Sequence, residues 1–382
     1  MALRFRVDPA LVVTIVIGCI AGVVVVRYAA KTIPNRAVGG LAATVAGDVK
    51  VAETPVFTLQ AVGDVRGVGF ASSGDLLVGD RDGFTRRDVQ TGKVTQTFDT
   101  DGNGVRAVAV SPSGEAAAVA LSYGGEVRFY ASTGDSKPLL TLPSATDQEQ
   151  QAVAFAPSGE SLAAGGFDKT VRVWQPGHVA APKPKVGAVF DTTQKSGTGK
   201  LVQAAIKASD TVSAVAFAPD GKTVAVGTGP KVTVYTIAGG KAGQTYFPKH
   251  GAVTSVAYSP GGETLAVGTA DGTTVLFDTA TGRESATVDA TKEGGNASRN
   301  PFRSRGNTGT GVSALCFAPD GKTVVLALKS GILARCDVAT GKPVKLYAES
   351  DSLAAALSLA LSEDGKRAVA GYSDGAVRVW RL

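Results

Sequence analysis

Short apolar runs and short polar turns alternate along most of this chain. The stretch Val212–Thr228 contains two runs, VSAVAF and TVAVGT, in which apolar residues recur at every second position. The four residues Ala218-Pro219-Asp220-Gly221 separate them. Proline presets one backbone angle and glycine accepts a positive φ, so this segment suits a tight turn. Alternating runs on both sides of such a turn predict a β-hairpin.

The hairpin pattern occurs seven times. The copies align on the last apolar residue before the turn, which is Phe70, Val110, Phe155, Phe217, Tyr258, Phe317 or Leu361. The intervals between these residues are 40, 45, 62, 41, 59 and 44 residues. Each full copy continues with a third run, a turn that contains glycine, and a fourth run. A period of about 40–45 residues with four strands per copy predicts a seven-bladed β-propeller.

The repeats resemble those of the WD-repeat family. The resemblance is carried by the F-A-P-D-G turns, by the V-R-V-W third strands, by Gly165-Gly166 and Gly268-Thr269 in second strands, and by the turn aspartates Asp82, Asp168, Asp271 and Asp374. It covers residues 52–382 and implies an all-β propeller built from four-stranded antiparallel blades. Six copies lack the family's Gly-His dipeptide, and only two keep its tryptophan. The family's buried Asp–His–Ser/Thr–Trp network is therefore expected to be missing.

The four turn aspartates recur at one position of the repeat, which favours a shared structural role over metal binding or catalysis. We expect each carboxylate to accept hydrogen bonds from backbone N–H groups of its own turn.

The two ends of the domain are expected to share a blade. The last copy stops at Leu382, directly after its third strand. The segment ETPVFTLQ, which ends at Gln60, resembles fourth strands such as GKPVKLY, which ends at Tyr347. We predict that residues 54–61 form the missing fourth strand, because this would close the ring and cover an open sheet edge.

The N-terminal region predicts a membrane segment. After a tail of residues 1–9, residues 10–26 carry no charge and would span about 25 Å as a helix, the short end of the range for a membrane span. We predict a signal anchor over residues 10–28, with a cleaved secretory signal and a lipoprotein signal at Cys19 as alternatives. Residues 29–51 are rich in glycine and alanine and predict a flexible linker. We expect a single-pass protein of the cell membrane with the propeller on the extracytoplasmic side.

Charge adds little to this picture. The 382 residues carry a net charge of +6, spread along the chain. Two long intervals contain insertions of basic, loop-like composition at about residues 176–200 and 289–311, which are either solvated loops or partner-binding loops. The lysines are scattered and lack interleaved aromatic residues, so no nucleic-acid partner is expected.

The residues needed for chemistry are few. The chain has two histidines and three cysteines, and none lie at metal-ligand spacing. Cys316 and Cys336 fall on strands that flank a common neighbour, about 9–10 Å apart, which is too far for a disulfide. The segment Ser196–Lys200 lacks the first glycine and the final Ser/Thr of a phosphate loop. No catalytic residue, cofactor or metal site is expected.

These observations predict a membrane-tethered, non-catalytic scaffold for protein–protein interactions, with a monomeric propeller. The alternative is an enzyme or small-ligand sensor that acts through the central channel. The turns between second and third strands all project on one face of the ring, and exposed aromatic and arginine side chains are typical of binding hot spots. The predicted binding residues on this face are Arg81, Tyr123, Phe167, Lys231, Lys329 and Tyr372.

Overall fold

The structure is a computed structural model. It describes residues 54–142, 147–175, 206–289, 311–348 and 354–382, and the backbone of the short strands Thr14–Ile20, Val23–Ala29, Lys50–Val51 and Lys200–Leu201. The chain divides into two units, Met1–Asp48 and Val49–Leu382. The second unit contains seven sheets of four or five strands, which confirms the seven-bladed β-propeller.

Each blade is a four-stranded antiparallel sheet in which strands that follow one another in the sequence are neighbours, except that the fourth strand of blade 7 comes from residues 57–60. The strands of blades 1–4 are Gly67–Phe70, Leu76–Asp80, Gly83–Arg87 and Val94–Phe98; Val105–Val110, Ala116–Leu121, Val127–Ala131 and Leu140–Leu142; Gln150–Phe155, Leu162–Gly166, Thr170–Gln175 and Ile206–Lys207; and Val212–Phe217, Thr223–Thr228, Lys231–Thr236 and Ala242–Tyr246. Those of blades 5–7 are Val253–Tyr258, Thr264–Thr269, Thr273–Asp278 and Glu284–Asp289; Val312–Phe317, Thr323–Leu328, Leu333–Asp337 and Pro343–Tyr347; and Ala356–Leu361, Arg367–Tyr372, Ala376–Arg381 and Phe57–Gln60.

Burial changes systematically across a blade. The first strands of adjacent blades contact one another and therefore lie at the centre of the ring. Second strands such as Ala116–Leu121 are buried on both faces and consist mainly of small and branched apolar residues. Fourth strands such as Val94–Phe98 are mostly exposed and rich in polar residues. The sequence pattern thus follows the distance of each strand from the centre.

The hydrophobic core is divided into seven clusters, one at each junction between adjacent blades. The cluster around Val212 and Val226, for example, combines residues of blades 3 and 4, and the cluster around Leu59 and Val377 combines residues of blades 7 and 1. The other five junctions have corresponding clusters. Each junction is a small core of its own, which is how the ring exceeds the size limit for a single core.

The closing strand is confirmed. Phe57–Gln60 pairs antiparallel with Ala376–Val379, in the register Gln60 to Ala376 and Phe57 to Val379. Backbone bonds at Val56 and Ala61 extend this pairing at both ends. Just before it, Lys50–Val51 pairs in parallel with the outer strand of blade 6 at Lys345 and Leu346.

The N-terminal unit contains two strands, Thr14–Ile20 and Val23–Ala29, paired antiparallel, where the sequence predicted a helix over residues 10–28. Their side chains and the residues around them lie outside the described residues, so the membrane anchor stays a prediction. None of the residues that the structure describes forms a helix with the length and apolar character that crossing a membrane requires. Most of the predicted insertions, residues 176–199 and 290–310, also lie outside the description.

Candidate binding face

Two kinds of connection emerge on one side of the ring, here called the upper face. Second and fourth strands run in the same direction within an antiparallel blade. The turns from second to third strands and the connections from fourth strands to the next blade therefore lie at the same end. The remaining turns form the opposite, lower face.

Three of the predicted binding residues are exposed on the upper face. Arg81 is exposed, Tyr123 is 72% exposed and Phe167 is 47% exposed. Lys231 and Lys329 are partly buried. These side chains belong to blades 1, 2, 3, 4 and 6, so they are distributed around the ring.

The prediction for Tyr372 is wrong. Tyr372 is the last residue of its strand and is only 1% exposed. Its ring packs under the Arg378 guanidinium, whose carbon lies 4.1 Å from the ring centroid. The turn of blade 7 begins one residue later, so the tyrosine belongs to the junction with blade 6 and not to the upper face.

Sequence reasoning missed two exposed apolar residues of this face. Val62 is 74% exposed and Phe247 is 55% exposed, and both lie in connections from a fourth strand to the next blade. These connections vary in length and fall outside the repeat register, so alignment of the copies did not reveal them. A large apolar residue within an otherwise polar connection was the available signal.

Three of the four turn aspartates have the predicted structural role. The N–H groups of Thr170, Thr273 and Ala376 donate to Oδ1 of Asp168, Asp271 and Asp374 at 3.0–3.1 Å. In blades 3 and 7 the second carboxylate oxygen also forms an ion pair with the arginine four residues later, Arg172 or Arg378. The aspartate thus fixes both the turn and the following strand.

Blade 1 uses a different aspartate. Its turn has only two residues, and the buried Asp80, not Asp82, accepts bonds from the N–H groups of Asp82 and Gly83 at 2.9 and 3.1 Å. Asp82 itself is exposed.

Blade 5 retains part of the network that was expected to be missing. Thr269 Oγ1 donates to Asp271 Oδ1 at 2.6 Å, and His250 Nδ1 lies 3.8 Å from Asp271 Oδ2. Burial acts to raise the pKa of Asp271, but the bonds from Thr269 and Thr273 outweigh it and hold that pKa below its ordinary value. Phe277 lies at the position of the family's tryptophan.

The inner rim of the upper face is formed by the starts of the first strands. Ser213 Oγ and Thr254 Oγ1 donate to the backbone oxygens of Val253 and Val312 in the next blade, at 2.7 and 2.5 Å. These hydroxyls are therefore used to join blades. Across the described ranges, no group of three or more His, Cys, Asp and Glu side chains could hold a metal ion.

Cys316 and Cys336 pair with adjacent residues of the intervening strand, Val325 and Val324. Side chains alternate between the faces of a sheet, so the two thiols point to opposite faces of blade 6. No disulfide joins them, as predicted.

The comparisons agree with this architecture. A family model described as WD domain, G-beta repeat (WD40) matches residues 136–175, 240–278 and 342–381. Each match combines the fourth strand of one blade with the first three strands of the next. The third match ends with the third strand of blade 7, whose fourth strand is Phe57–Gln60. A comparison with curated proteins found no match. The chain is therefore a seven-bladed β-propeller in which three stretches match the WD40 repeat model.

Proposed function

We propose that the protein is a membrane-tethered, non-catalytic platform that binds partner proteins through the upper face of its propeller. The observation that carries this proposal is the exposure of Tyr123 and Phe167 on neighbouring blades of a rigid ring. Exposed aromatic side chains on a scaffold that orders them in advance lose little conformational freedom on binding and bury a large area.

A non-catalytic role is supported by how the polar groups of the centre are used. The hydroxyls of Ser213 and Thr254 bond to the neighbouring blade, and Arg106 bonds to Gln151 on blade 3. Each of these three groups is thus engaged in a bond between adjacent blades. WD40 propellers are in general interaction scaffolds, which favours the same role here.

The tether is proposed from the sequence alone. Residues 10–28 would anchor the chain in the cell membrane, and residues 29–51 would link the anchor to a monomeric propeller on the extracytoplasmic side. Membrane fractionation with alkaline extraction tests the anchor. The full chain should remain in the pellet, and a variant lacking residues 10–28 should be released. Intact-mass measurement of the membrane form distinguishes an uncleaved anchor from a cleaved or Cys19-lipidated one.

Proximity labelling from the full chain tests the binding function. A labelling enzyme fused to the C-terminus should mark a reproducible set of proteins, and the combined variant Tyr123→Ala, Phe167→Ala, Phe247→Ala should lose part of that set. The matched control is Val94→Ala, which truncates an exposed apolar residue on the outer strand of blade 1. If the triple variant and the control label the same proteins as the wild type, the upper face is not the binding surface.

A further inference from the structure

Tyr123 and Phe167 occupy equivalent turns of blades 2 and 3, which adjoin in the ring. Tyr123 lies between the second and third strands of blade 2, and Phe167 lies in the corresponding turn of blade 3. The backbone N–H of Phe167 donates to the carbonyl of Glu149 at 3.2 Å, so the backbone of this acidic residue contacts the turn that carries the ring. The two rings therefore belong to one sector of the upper face.

This sector is acidic although the chain is basic overall. The turns and connections of the upper face between residues 81 and 169 carry two basic side chains, Arg81 and Lys169, and seven carboxylates. The carboxylates belong to Asp82, Asp99, Asp101, Glu126, Asp147, Glu149 and Asp168.

Arginines from the strands neutralise only part of this charge. Arg128 pairs with Asp101 at 2.6 Å and with Glu126 at 3.1 Å. Arg172 pairs with Asp168, and Arg106 lies 3.9 Å from Glu149. Within the described ranges, the exposed carboxylates of Asp82, Asp99 and Asp147 have no ion-pair partner.

The opposite side of the upper face carries mostly positive charge. From residue 229 onward, the described turns and connections of blades 4 to 6 contain Lys249, His250 and Lys329 against the single carboxylate of Asp271. Asp210, in the connection between the two sides, pairs with Lys169. Lys231 begins the adjoining third strand. The acidic character is thus a local property of the sector that holds the two aromatic rings.

We propose that this acidic aromatic sector binds a partner-protein segment in which lysine or arginine residues stand next to apolar ones. This inference rests on the proposed function and specifies the chemistry of the partner. Carboxylates attract the basic side chains and steer the encounter. The faces of Tyr123 and Phe167 bind cations and bury neighbouring apolar groups. Nucleic acid and anionic lipid are repelled by the same carboxylates.

Peptide binding to the full chain tests the inference. The probe is a fluorescein-labelled dodecapeptide of alternating arginine and leucine, measured by fluorescence anisotropy, with a glutamate–leucine peptide and a single-stranded DNA 20-mer as comparisons. We expect saturable binding of the first probe alone, weakened at least fivefold between 50 and 300 mM salt because of screening. If the wild-type chain binds either anionic probe as tightly as the arginine–leucine peptide, or more tightly, the inference is overturned.

Variants locate the binding. Tyr123→Ala and Phe167→Ala should each weaken binding about fivefold or more, and the pair Asp82→Lys and Asp147→Lys should weaken it about tenfold. The controls are Val344→Ala, which truncates an exposed apolar residue on the outer strand of blade 6, and Glu160→Lys on the lower face of blade 3. All of these side chains are exposed, so each variant should unfold at the same temperature as the wild type. If the controls weaken binding as much as the sector variants, the peptide responds to net charge and the inference fails.

The labelling experiment separates this inference from the proposed function. Loss of labelled proteins with Phe247→Ala but not with Tyr123→Ala or Phe167→Ala would keep the binding function and remove the acidic aromatic sector as its site. Labelling that no upper-face variant changes would remove both.

Discussion

Single aspartates fix turns on both faces of the propeller. On the lower face the sequence Asp-x-x-Thr-Gly occurs between third and fourth strands at Asp88, Asp278 and Asp337. In each turn, Oδ1 of the aspartate accepts bonds from the N–H and the hydroxyl of the threonine at 2.6–2.8 Å. The following glycine has a φ of 69–71°, which residues with a Cβ rarely adopt. These bonds hold the pKa of all three carboxyls below its ordinary value.

Asp278→Ala should therefore lower the thermal stability in a pH-dependent manner. The bonds from Thr281 favour the ionised carboxylate, so the folded pKa of Asp278 is below the unfolded one. The contribution is complete above the unfolded pKa and disappears as the pH falls through the folded pKa. Melting curves at pH 7, 5 and 3 should show a gap between variant and wild type that closes at the acidic end. A gap that stays constant from pH 7 to 3 would mean that charge has no part in the effect.

The cysteines of blade 6 should be unreactive in the folded protein. Burial of the sulfur raises the pKa of Cys316 to about 12, and Cys336 is fully buried. Only the thiolate reacts with iodoacetamide, so alkylation at pH 8 should be slow in buffer and fast in denaturant. Peptide mapping after alkylation reports each site separately. Rapid labelling of Cys316 in the folded state, or a disulfide-linked peptide pair, would contradict this expectation.

Second strands set the distance between adjacent blades. In five of them a glycine faces a valine that lies at the start of the next blade's first strand or, in blade 1, two residues before it. The pairs are Gly79 with Val105, Gly165 with Val212, Gly227 with Val253, Gly268 with Val312 and Gly371 with Val65. A Cβ on any of these glycines would lie 2.3–2.8 Å from a valine methyl group, closer than real Cβ atoms approach. The second-strand glycine that the WD-repeat resemblance relied on is thus a spacing residue between blades.

Gly227→Ala should destabilise the propeller by about 1–3 kcal/mol, because overpacking forces a well-packed junction to shift. Chemical denaturation of the variant, of Val253→Ala and of the double variant gives the coupling between the two positions. The double variant should be more stable than the sum of the single effects predicts, since removing the valine methyls makes room for the new Cβ. Gly243→Ala is the control, because its Cβ would make only ordinary contact, and it should stay within about 0.5 kcal/mol. Full additivity at Gly227 and Val253 would disprove the spacing role.

The strands and their order followed from the sequence, whereas details of single turns did not. Alternation and the recurring turn at Ala218–Gly221 were enough to predict the blades, because both are local. The upper-face turn of blade 1 is one residue shorter than those of blades 3, 5 and 7, and this passed the capping role from Asp82 to Asp80. Tyr372 is the last strand residue before the turn of blade 7, so its side chain lies in the core. His250 reaches Asp271 because Lys249 and Gly251 both have positive φ values, 61° and 89°, which spacing alone could not reveal.

The ring as a whole depends on a strand that lies far from its partner in the sequence. The closing strand contributes Leu59 to the junction between blades 7 and 1. Arg87, buried in blade 1 at the position of the family's tryptophan, donates from Nη1 to the carbonyl of Gln60 at 3.1 Å. The side chain of Gln60 in turn donates to the carbonyl of Asp374 at 2.6 Å. Residues of blade 1 and of blade 7 therefore both bond to the closing strand.

Arg87→Met should cost about 1–3 kcal/mol, because it removes a charged donor and leaves a partly buried carbonyl without that bond. Urea denaturation measures the change. Arg81→Met removes the charge of an exposed arginine six residues earlier. It is the matched control and should change the free energy of unfolding little. Equal stability of the two variants would show that the contact with Gln60 does not contribute to closure.

Deletion of residues 52–62 tests closure itself. The deletion removes the fourth strand of blade 7, exposes the edge of Ala376–Arg381 and takes Leu59 out of the last junction. An open edge pairs readily with another chain, so the melting temperature should fall and the protein should associate in gel filtration. Deletion of residues 30–40, which has the same length and lies before the propeller, is the control. Because the seven cores form a closed circle, loss of one junction should weaken the two blades beside it first. Hydrogen exchange should then rise in blades 7 and 1 before it rises in blade 4. A deletion variant that melts like the wild type and stays monodisperse would show that the circle does not need this strand.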